Sequence, residues 1–385
     1  MTAFHIVFWL SVIGLLYIYA GYPLLVAMFA GVFGRPPRRA PFEGRFSVVI
    51  SAHNEANNLP RKIQSILRSD AAAQIDEIIV GSDGSTDETA AVVRALNEPR
   101  VKLIEFPERR GKASVLDDAV PRCSSEIVVM TDARQELDPG AFTKLLSNFA
   151  DETVGVASGE LVFRRSASDT AAARGIDAYW SYEKWIRKRE SRLASVPGAT
   201  GALFAIRKNL FVPIPPRTLL DDVAIPMQVV VRGFRCVFEE GAAVYDEPAQ
   251  SAAQEAVRKR RTIAGNVQLI GLYPSWLLPW RNPVWWQLIS HKLGRLLSPF
   301  FLVGAAASNA ALVGQPSYRL LGVVQAAIYA VAAAGWLLRG TRGKIGLIGI
   351  PFMFISLNVT TLLGIWDAVA GHTSATWRRW ENETE

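Results

Sequence analysis

Apolar and polar positions divide the chain into apolar stretches near both ends and an alternating region between them. Residues 4–33 contain no Asp, Glu, Lys or Arg, and at about 1.5 Å per residue they exceed a hydrocarbon core of about 30 Å. Later apolar blocks cover roughly 296–313, 318–338 and 345–369. A signal peptide fits the first stretch poorly, because that stretch lacks a basic amino-terminal region and is too long. The pattern predicts about four transmembrane helices, with buried helices of a soluble protein as the alternative.

Basic residues flank these apolar blocks and orient them in the membrane. They follow the first block and separate the last two: Arg35, Arg38, Arg39, Arg339, Arg342 and Lys344. Since Lys and Arg mark cytoplasmic loops, residues 35 to about 290 are predicted to lie in the cytosol. The same rule places both termini outside, although Arg378 and Arg379 of the tail argue against this for the carboxyl terminus. The protein is therefore expected in the inner or plasma membrane.

Residues 273–295, YPSWLLPWRNPVWWQLISHKLGR, mix tryptophan with proline, arginine and histidine ahead of the second block. Amphipathic aromatic rings favour the headgroup region, so this segment is predicted to form an interfacial helix. A net charge of +7 fits an anionic inner leaflet. Nucleic acid is not an expected partner, because no recognised module is present and basic residues cluster near the membrane segments. Cys123 and Cys236 are isolated, so neither a structural disulfide nor a cysteine metal site is expected.

Short apolar runs alternate with helical patterns from residue 46 onward. Four runs have the length and composition of buried strands: 46–52, 76–83, 101–106 and 126–132. Strands that alternate with helices of this length predict an α/β fold with a doubly wound, mostly parallel sheet. Ligands of such sheets bind at the carboxyl ends of the strands. Here those ends carry polar groups at His53-Asn54-Glu55, Asp83-Gly84-Ser85 and Asp132.

Glycine spacing excludes two nucleotide-binding classes. A dinucleotide-binding fold needs G-x-G-x-x-G after the first strand, a P-loop nucleoside triphosphatase needs G-x-x-x-x-G-K-[ST], and neither occurs there. A nucleotidyltransferase would need a glycine-rich, basic signature at the same place, which SAHNEANNLPRK lacks. Carboxylates and amides remain, and these groups suit a base, a ribose and a metal.

Four motifs resemble, in order and spacing, the nucleotide-binding half of the inverting family-two glycosyltransferases of GT-A fold. They are SVVISAHNEANNLPRKIQSIL, IIVGSDGSTDETAAVV, RRGKASVLDDAV and VVMTDARQELDPGAF. The resemblance covers about residues 46–270, and one membrane segment before it with several after it is similar to the membrane-embedded polysaccharide synthases. It implies five parts: an amino-terminal transmembrane helix (1–34), a cytosolic GT-A domain (35–270), an interfacial segment (271–295), three transmembrane helices (296–370) and a polar tail (371–385).

The resemblance assigns the donor site to residues at the strand ends. It implies that Asn54 and Glu55 bind the nucleotide and that Asp83 recognises the uracil ring of a UDP-sugar. A carboxylate that accepts a base N–H discriminates well, because a base without that donor leaves the carboxylate unpaired. Lys112 follows the third strand and would offset the charge of the donor diphosphate. A turn with a helix N-cap at Asp83 and a solvated surface at Lys112 are the alternatives.

Asp132 corresponds to the first carboxylate of the D-x-D motif, which in this family holds Mg²⁺ or Mn²⁺ against the diphosphate. Hard divalent cations need oxygen ligands, and one carboxylate with two phosphates and waters can suffice. Arg134 stands in place of the second carboxylate and cannot ligate a metal. It could pair with phosphate, or with a neighbouring carboxylate that then ligates the metal. A metal held through Asp132 is expected, with metal independence as the alternative.

Two further segments resemble the acceptor side and the catalytic base of the family, and an aromatic helix lies upstream of them. Gly198 and Gly201 in VPGATGALFAIRKNLF match a loop where a sugar approaches the backbone closely. Trp180 lies in an aromatic, basic helix that could stack on the acceptor sugar, sit at the membrane interface or face the core. Asp221 and Asp222 match an acidic pair whose second member deprotonates the acceptor hydroxyl. A plain turn and helix capping are the alternatives for the glycines and the acidic pair.

The synthases of this family carry Q-x-x-R-W on a helix that closes over the donor. This chain reads RKRRT there, so the phosphate-binding arginine corresponds to Arg261, with Arg258 also assigned to the donor site. Thr262 replaces the tryptophan that stacks under the acceptor sugar, which weakens the case for a processive synthase, although Trp276 or Trp280 could serve. A basic helix that faces lipid phosphates is the alternative.

These features predict a membrane-embedded inverting glycosyltransferase. Its donor would be a nucleotide sugar, with UDP as the expected nucleotide, and its acceptor a lipid-linked or growing saccharide. The carboxyl-terminal spans could wall a polymer channel as a homo-oligomer, or hold a polyprenyl-phosphate acceptor for transfer of a single sugar. A non-catalytic assembly or export subunit that kept the fold is the rival of another class. Substitution of Asp132 and Asp222 separates an enzyme from such a subunit.

Overall fold

The computed structural model describes residues 1–164, 171–247, 252–337 and 349–372. Its strands are β1 (Phe46–Ala52), β2 (Ile75–Asp83), β3 (Val101–Phe106), β4 (Ile127–Asp132), β5 (Glu136–Leu137), β6 (Val154–Phe163), β7 (Leu203–Arg207) and β8 (Arg235–Asp246). They form one sheet in the order β3-β2-β1-β4-β7-β6-β8-β5. Strands β1 to β4 pair in parallel, whereas β7 is antiparallel to both of its neighbours. The predicted α/β fold is confirmed.

Helices cover both faces of the sheet and the two apolar ends of the chain. Those described are α1 (Thr2–Leu16), α2 (Tyr22–Phe33), α3 (Leu59–Leu67), α4 (Thr89–Ala95), α5 (Lys112–Ala119), α6 (Ala141–Leu146), α7 (Ala171–Leu193), α8 (Asp221–Val230), α9 (Ala252–Leu272), α10 (Trp285–Gln287), α11 (Gly294–Ala311), α12 (Pro316–Leu337) and α13 (Gly349–Val369). A π-helical turn at Tyr17–Gly21 joins α1 to α2, so the first apolar stretch is one continuous helix.

The central strands are apolar throughout because both of their faces are covered. Successive side chains of β4 alternate between two hydrophobic layers. Val128 packs in the layer that contains Leu116 of α5, whereas Val129 packs in the layer that contains Ile63 of α3. The two helices therefore approach the carboxyl end of β4 from opposite faces of the sheet.

Three helices in the described ranges are long and apolar enough to cross a membrane: Thr2–Phe33, Pro316–Leu337 and Gly349–Val369. The fourth predicted span, 296–313, forms α11, which packs along α1. Helix α11 includes Arg295 and Asn309 and does not reach the apolar character of the other three. The structure thus supports three spans rather than about four. The start of the predicted 345–369 block lies outside the described residues.

The prediction of a single helix for 271–295 is wrong. The segment contains a 3₁₀ turn at Pro274–Leu277, the short α10 and a π-helical turn at Leu288–Leu293 that leads into α11. Prolines interrupt it, since each one removes a backbone donor. Trp286 Nε1 donates to the Tyr17 hydroxyl at 2.8 Å, so the segment packs on the first apolar helix. A location at the headgroups stays a prediction.

The prediction that the membrane separates the end of the last span from the domain that contains the sheet is also wrong. Asp367, near the end of α13, accepts two hydrogen bonds of 2.6 and 2.7 Å from Arg260 of α9. Helix α9 belongs to the domain that the basic residues place in the cytosol. An end on the far side of a hydrocarbon core of about 30 Å could not make this contact. The charges of the loops carry no information on the Arg260–Asp367 ion pair, which holds α13 against the domain.

Candidate active site

Two carboxylates and one lysine meet at the carboxyl edge of the sheet. The Lys112 ammonium, at the start of α5, lies 2.8 Å from Asp132 Oδ1 and 3.1 Å from Asp221 Oδ2. It also donates to the Gly201 carbonyl at 3.3 Å. Asp132 ends β4, Asp221 begins α8, and Gly201 lies in the loop before β7. Lys112 therefore holds together three segments that are far apart in the sequence.

Asp83 fixes the start of α5 and with it the site lysine. Its side chain is buried, and its two oxygens accept the backbone N–H groups of Arg110 at 2.7 Å and Gly111 at 2.8 Å. Gly111 has a φ of +92°, a conformation that residues with side chains rarely adopt. Because Lys112 follows directly, the buried Asp83 carboxylate determines where the Lys112 side chain begins.

Asp222 follows Asp221 in the first turn of α8 and touches the glycine loop. Its carbonyl accepts the Ala199 N–H at 2.7 Å. A Cβ atom added at Gly201 would lie 3.1 Å from Asp222 Oδ2, so the carboxylate rests against bare backbone. Gly198 has a φ of +130° in the same loop. The structure thus joins the predicted acceptor loop to the predicted base.

Asp222 and Lys112 differ in how readily they change protonation state near neutral pH. Burial and the neighbouring Asp221 raise the pKa of Asp222 to about 6, against the lowering effect of Lys112 and Lys292. Burial lowers the pKa of Lys112, but Asp132 and Asp221 outweigh it and leave that pKa above its ordinary value. Lys112 therefore stays charged at neutral pH, whereas Asp222 can take up or release a proton slightly below it.

Arg261 of α9 faces the same carboxylates. Its Nη2 donates to the carbonyl of Leu219, two residues before Asp221, at 3.3 Å. Burial lowers the pKa of Arg261, and the three carboxylates of the site oppose that shift. Among the described residues, Arg258 makes no side-chain contact with this cluster. Of the two predicted arginines, the structure brings Arg261 to the site.

Asn54 and Glu55 form a second polar group, at the ends of β1 and β2. Asn54 has a φ of +54°, and its Oδ1 accepts the Thr86 N–H at 2.8 Å. The Glu55 N–H donates to Thr89 Oγ1 at 2.9 Å, and Glu55 Oε2 accepts from Asn58 at 2.5 Å. These bonds hold the two predicted nucleotide-binding residues in one loop cluster at the sheet edge.

Arg134 and Trp180 lie apart from the base. Arg134 forms a two-bond ion pair with Asp246 at the end of β8, with its Nε 3.0 Å from Asp246 Oδ1. It therefore pairs with a neighbouring carboxylate, which is one of the two predicted alternatives, and leaves Asp132 facing Lys112. The Lys259 ammonium lies 5.2 Å from the centre of the Trp180 ring. Neither residue contacts Asp222 in the described structure.

Lys62 is a charged residue beside the site that sequence reasoning missed. Its side chain is 1% exposed, and its Nζ donates to Thr131 Oγ1 at 2.7 Å. Burial lowers the pKa of Lys62 to about 7, although Asp132 raises it in part. The sequence carries a signal for this residue, because Lys62 occupies an apolar position of the helical stripe within 59–66.

Asp132 offers one carboxylate to a divalent cation. Its side chain is 30% exposed at the strand end, which leaves it accessible to a ligand. The described ranges contain no group of three or more His, Cys, Asp or Glu that could hold a metal. A Mg²⁺ or Mn²⁺ ion here would take its other ligands from phosphate and water oxygens, which hard cations accept. The residues present fit a metal held in this way.

Comparisons with known proteins agree with this geometry. Residues 47–212 match the family model of glycosyl transferase family 2. The poly-beta-1,6-N-acetyl-D-glucosamine synthase of Staphylococcus aureus (strain MSSA476) is 24% identical over 196 residues, which cover 50% of this chain and 47% of the synthase. The succinoglycan biosynthesis protein ExoU of Rhizobium meliloti (strain 1021) is 35% identical over 102 residues, which cover 26% of this chain and 29% of that protein. The chain thus spans about half the length of the first relative and less of the second.

A solved structure shares the fold over almost the whole chain. The mannosyltransferase PcManGT from Pyrobaculum calidifontis, solved in complex with GDP-Man and Mn²⁺, gives a TM-score of 0.70 at 23% identity. The superposition covers 95% of this chain and 100% of that one. With the family match, the motifs and the mixed sheet in agreement, residues 47–212 form a family-two glycosyltransferase domain of GT-A fold, similar to that of a polysaccharide synthase.

Proposed function

We propose that the protein transfers a sugar from a nucleotide-sugar donor to a lipid-linked or growing saccharide at the membrane, with inversion at the anomeric carbon. The observation that carries the proposal is Asp222, a carboxylate with a pKa raised to about 6 that rests against the Gly201 backbone beside Lys112. A base poised near the working pH next to an open loop suits an acceptor hydroxyl. The relatives named for polysaccharide synthesis support this acceptor class.

The reaction is a single displacement. Asp222 takes the proton of the acceptor hydroxyl while the hydroxyl oxygen bonds to the anomeric carbon. The bond from that carbon to the diphosphate breaks, and its electron pair leaves with the nucleoside diphosphate. Lys112 and Arg261 oppose the charge that develops on the leaving group. Because Asp221 is paired with Lys112, the described residues of the site offer one base and no separate nucleophile, which favours inversion.

A divalent metal at Asp132 would supply Lewis acidity to the donor diphosphate. The Mn²⁺ in the complex of the mannosyltransferase from Pyrobaculum calidifontis supports this cofactor. The Lys112 ammonium contacts both Asp132 and Asp221. It therefore holds the carboxylate on the donor side at a fixed distance from the acidic pair that contains the base.

A UDP-linked donor is the proposed nucleotide class. Asp83 would accept the N–H of the uracil ring, as the resemblance implies. Its two oxygens each accept one backbone N–H, and an ionised carboxylate has about four acceptor positions, so capacity for a base remains. The relative named for N-acetyl-D-glucosamine polymer supports an amino-sugar donor, whereas the structural neighbour was solved with GDP-Man.

Transfer of a single sugar to a polyprenyl-phosphate lipid is the second candidate, and one observation favours it. Trp276 is one of the two residues predicted to replace the missing stacking tryptophan. Its ring is stacked on that of Tyr273, with centres 4.2 Å apart and an angle of 6° between the ring planes. That face of Trp276 is therefore unavailable to a sugar. Trp280 is 77% exposed, and no ring of the described residues packs against it to hold it in place. Without a fixed tryptophan ring under the acceptor sugar, the site would hold a growing polymer less well.

Transfer by the purified full chain in lipid vesicles tests the proposal. The vesicles would be incubated with radiolabelled UDP-N-acetylglucosamine, UDP-glucose, UDP-galactose or GDP-mannose, with Mg²⁺ or Mn²⁺ and polyprenyl phosphate. A ladder of products would indicate a polymerase, and one shifted band would indicate transfer of one sugar. Nuclear magnetic resonance of the product should show the anomeric configuration opposite to that of the donor. A folded protein that transfers none of these sugars would instead support the non-catalytic subunit.

A further inference from the structure

Helix α9 packs against α13, and an ion pair joins the two helices. Arg260 Nε and Nη2 donate to the two carboxylate oxygens of Asp367 at 2.7 and 2.6 Å. Asp367 is mostly buried, with 14% of its side chain exposed. Close packing accompanies the ion pair, because a Cβ atom added at Gly364 would lie 2.8 Å from the Ile263 side chain. The two helices are therefore fixed by both charge geometry and backbone proximity.

The opposite face of α9 holds the segment that leads into the catalytic acidic pair. The Leu219 N–H donates to Gln268 Oε1 at 2.9 Å, and the Leu219 carbonyl accepts from Arg261. A Cβ atom added at Gly265 would lie 2.5 Å from Leu220 Cγ, so α9 touches this segment without an intervening side chain. Leu220 directly precedes Asp221. Any displacement of α9 is therefore passed to the start of α8.

We propose that the Arg260–Asp367 ion pair is a positioning contact through which α13 sets the place of α9, and so of Arg261 and the acidic pair. The inference rests on the proposed function, because it assigns Asp222 to catalysis. Arginine and carboxylate in a two-bond arrangement fix orientation as well as distance. The site needs such control, since a misplacement of about 1 Å far from the chemistry can cost about 100-fold in rate. Arg260 and Asp367 are thus positioning residues for transfer.

Charge neutralisation and charge reversal test the contact in the full chain. R260Q and D367N would be compared with the double variant R260D/D367R, all purified in lipid vesicles with the donor that the wild type uses. The Arg94–Glu105 ion pair between α4 and β3, at the far edge of the sheet, provides the matched control variants R94Q and E105Q. The readouts are kcat and KM for donor and acceptor per folded molecule, the pH dependence of kcat/KM, and the melting temperature.

Each single neutralisation should lower kcat/KM about tenfold and move the acid midpoint of the pH profile away from that of the wild type. The reversed pair should recover activity to within about threefold of wild type, as expected of a directly coupled pair. The control variants should match the wild type. Unchanged kcat/KM and pH midpoint in R260Q and D367N, even with a lower melting temperature, would overturn the inference. An inactive wild type would instead remove the proposed function and this inference with it.

Discussion

Two lysines lie on opposite faces of the sheet at the end of β4, Lys62 buried and Lys112 partly buried, and their surroundings differ. The Lys112 ammonium contacts the carboxylates of Asp132 and Asp221, and its pKa is raised. The Lys62 amine contacts the Thr131 hydroxyl, and its pKa is lowered to about 7. Burial disfavours the charged form of both side chains, so the carboxylates make the difference.

This contrast shows what makes a cation useful to a site that binds a diphosphate. A charge that two carboxylates stabilise remains available when a diphosphate arrives and leaves. A charge that burial destabilises tends to be lost near neutral pH instead, and its residue is better suited to filling space. Removing one partner of a buried ion pair leaves the other charge uncompensated, which costs about 3–5 kcal/mol. The two lysines should therefore respond to substitution in opposite ways.

Among the changes that test the contrast between the two lysines, Lys112→Met should have the largest effect. The substitution leaves Asp132 and Asp221 close together without their shared cation, and it removes a charge that opposes the leaving group. We expect transfer to fall about 100- to 1,000-fold, the range seen when one charge-stabilising group is lost. Initial rates with saturating donor would measure the loss, and Lys112→Arg should retain part of the activity. Near-normal activity in the methionine variant would contradict the role of Lys112.

Metal removal sharpens the comparison, because Asp132, which would hold the cation, pairs with Lys112. We expect EDTA to lower transfer about 100-fold and Mg²⁺ or Mn²⁺ to restore it, since the diphosphate loses a Lewis acid. The measurement is the transfer rate against free metal concentration. Full activity in EDTA would mean that Lys112 and Arg261 suffice, and it would overturn the metal proposal.

Arg134→Asp tests whether the second position of the motif matters. The change restores a second carboxylate beside Asp132 but leaves the buried Asp246 without its ion pair. We expect kcat/KM about tenfold lower and a lower melting temperature, because the buried Asp246 carboxylate loses the cation that pairs with it. Arg134→Lys, which keeps the charge, is the matched control. Either complete inactivity with a normal fold or unchanged stability would conflict with the structure.

The smallest effect on activity is expected from Lys62→Met, which should stay within about threefold of wild type because Lys62 contacts a hydroxyl rather than a charge. Its effect on stability should depend on pH. The pKa of about 7 lies below the ordinary value of 10.5, so the wild-type fold resists protonation of Lys62. Lowering the pH from about 10.5 to about 7 should therefore destabilise wild type relative to Lys62→Met, by roughly 4–5 kcal/mol at 1.36 kcal/mol per pKa unit.

Melting curves of wild type and Lys62→Met between pH 7 and pH 10 would measure this difference. The gap between the two melting temperatures should widen in favour of the methionine variant as the pH falls. A constant gap would show that Lys62 keeps its charge at all these pH values, and the contrast with Lys112 would then disappear.

The sequence predicted the parts of the fold and site that depend on local pattern. The runs 46–52 and 101–106 coincide with β1 and β3, because short apolar runs between helical stretches specify buried parallel strands. Motif spacing also located Asp132, Lys112 and the acidic pair, which the structure brings together. Strand ends of a parallel sheet must meet at one edge, so order in the sequence is enough to predict that meeting.

The partners of charged residues could not be predicted from local pattern. Arg134 pairs with Asp246 and Arg260 with Asp367, and in both cases more than 100 residues separate the two. The helical stripe shows that Lys62 is buried, yet its bond to Thr131 depends on how α3 packs on β4. Such contacts depend on the packing of distant elements, which periodicity does not encode. For the same reason, the carboxyl end of α13 was misplaced.

The pH dependence of transfer by wild type and Asp222→Asn tests the central claim most directly. If Asp222 is the base, wild-type kcat/KM should rise as the pH increases through about 6, because the carboxylate must be ionised to accept the proton. Asp222→Asn should fold normally and lose about 1,000-fold or more at every pH, whereas the matched surface variant Asp118→Asn should follow the wild-type curve. An Asp222→Asn protein with near-wild-type kcat/KM, or an unchanged acid limb in that variant, would contradict the account.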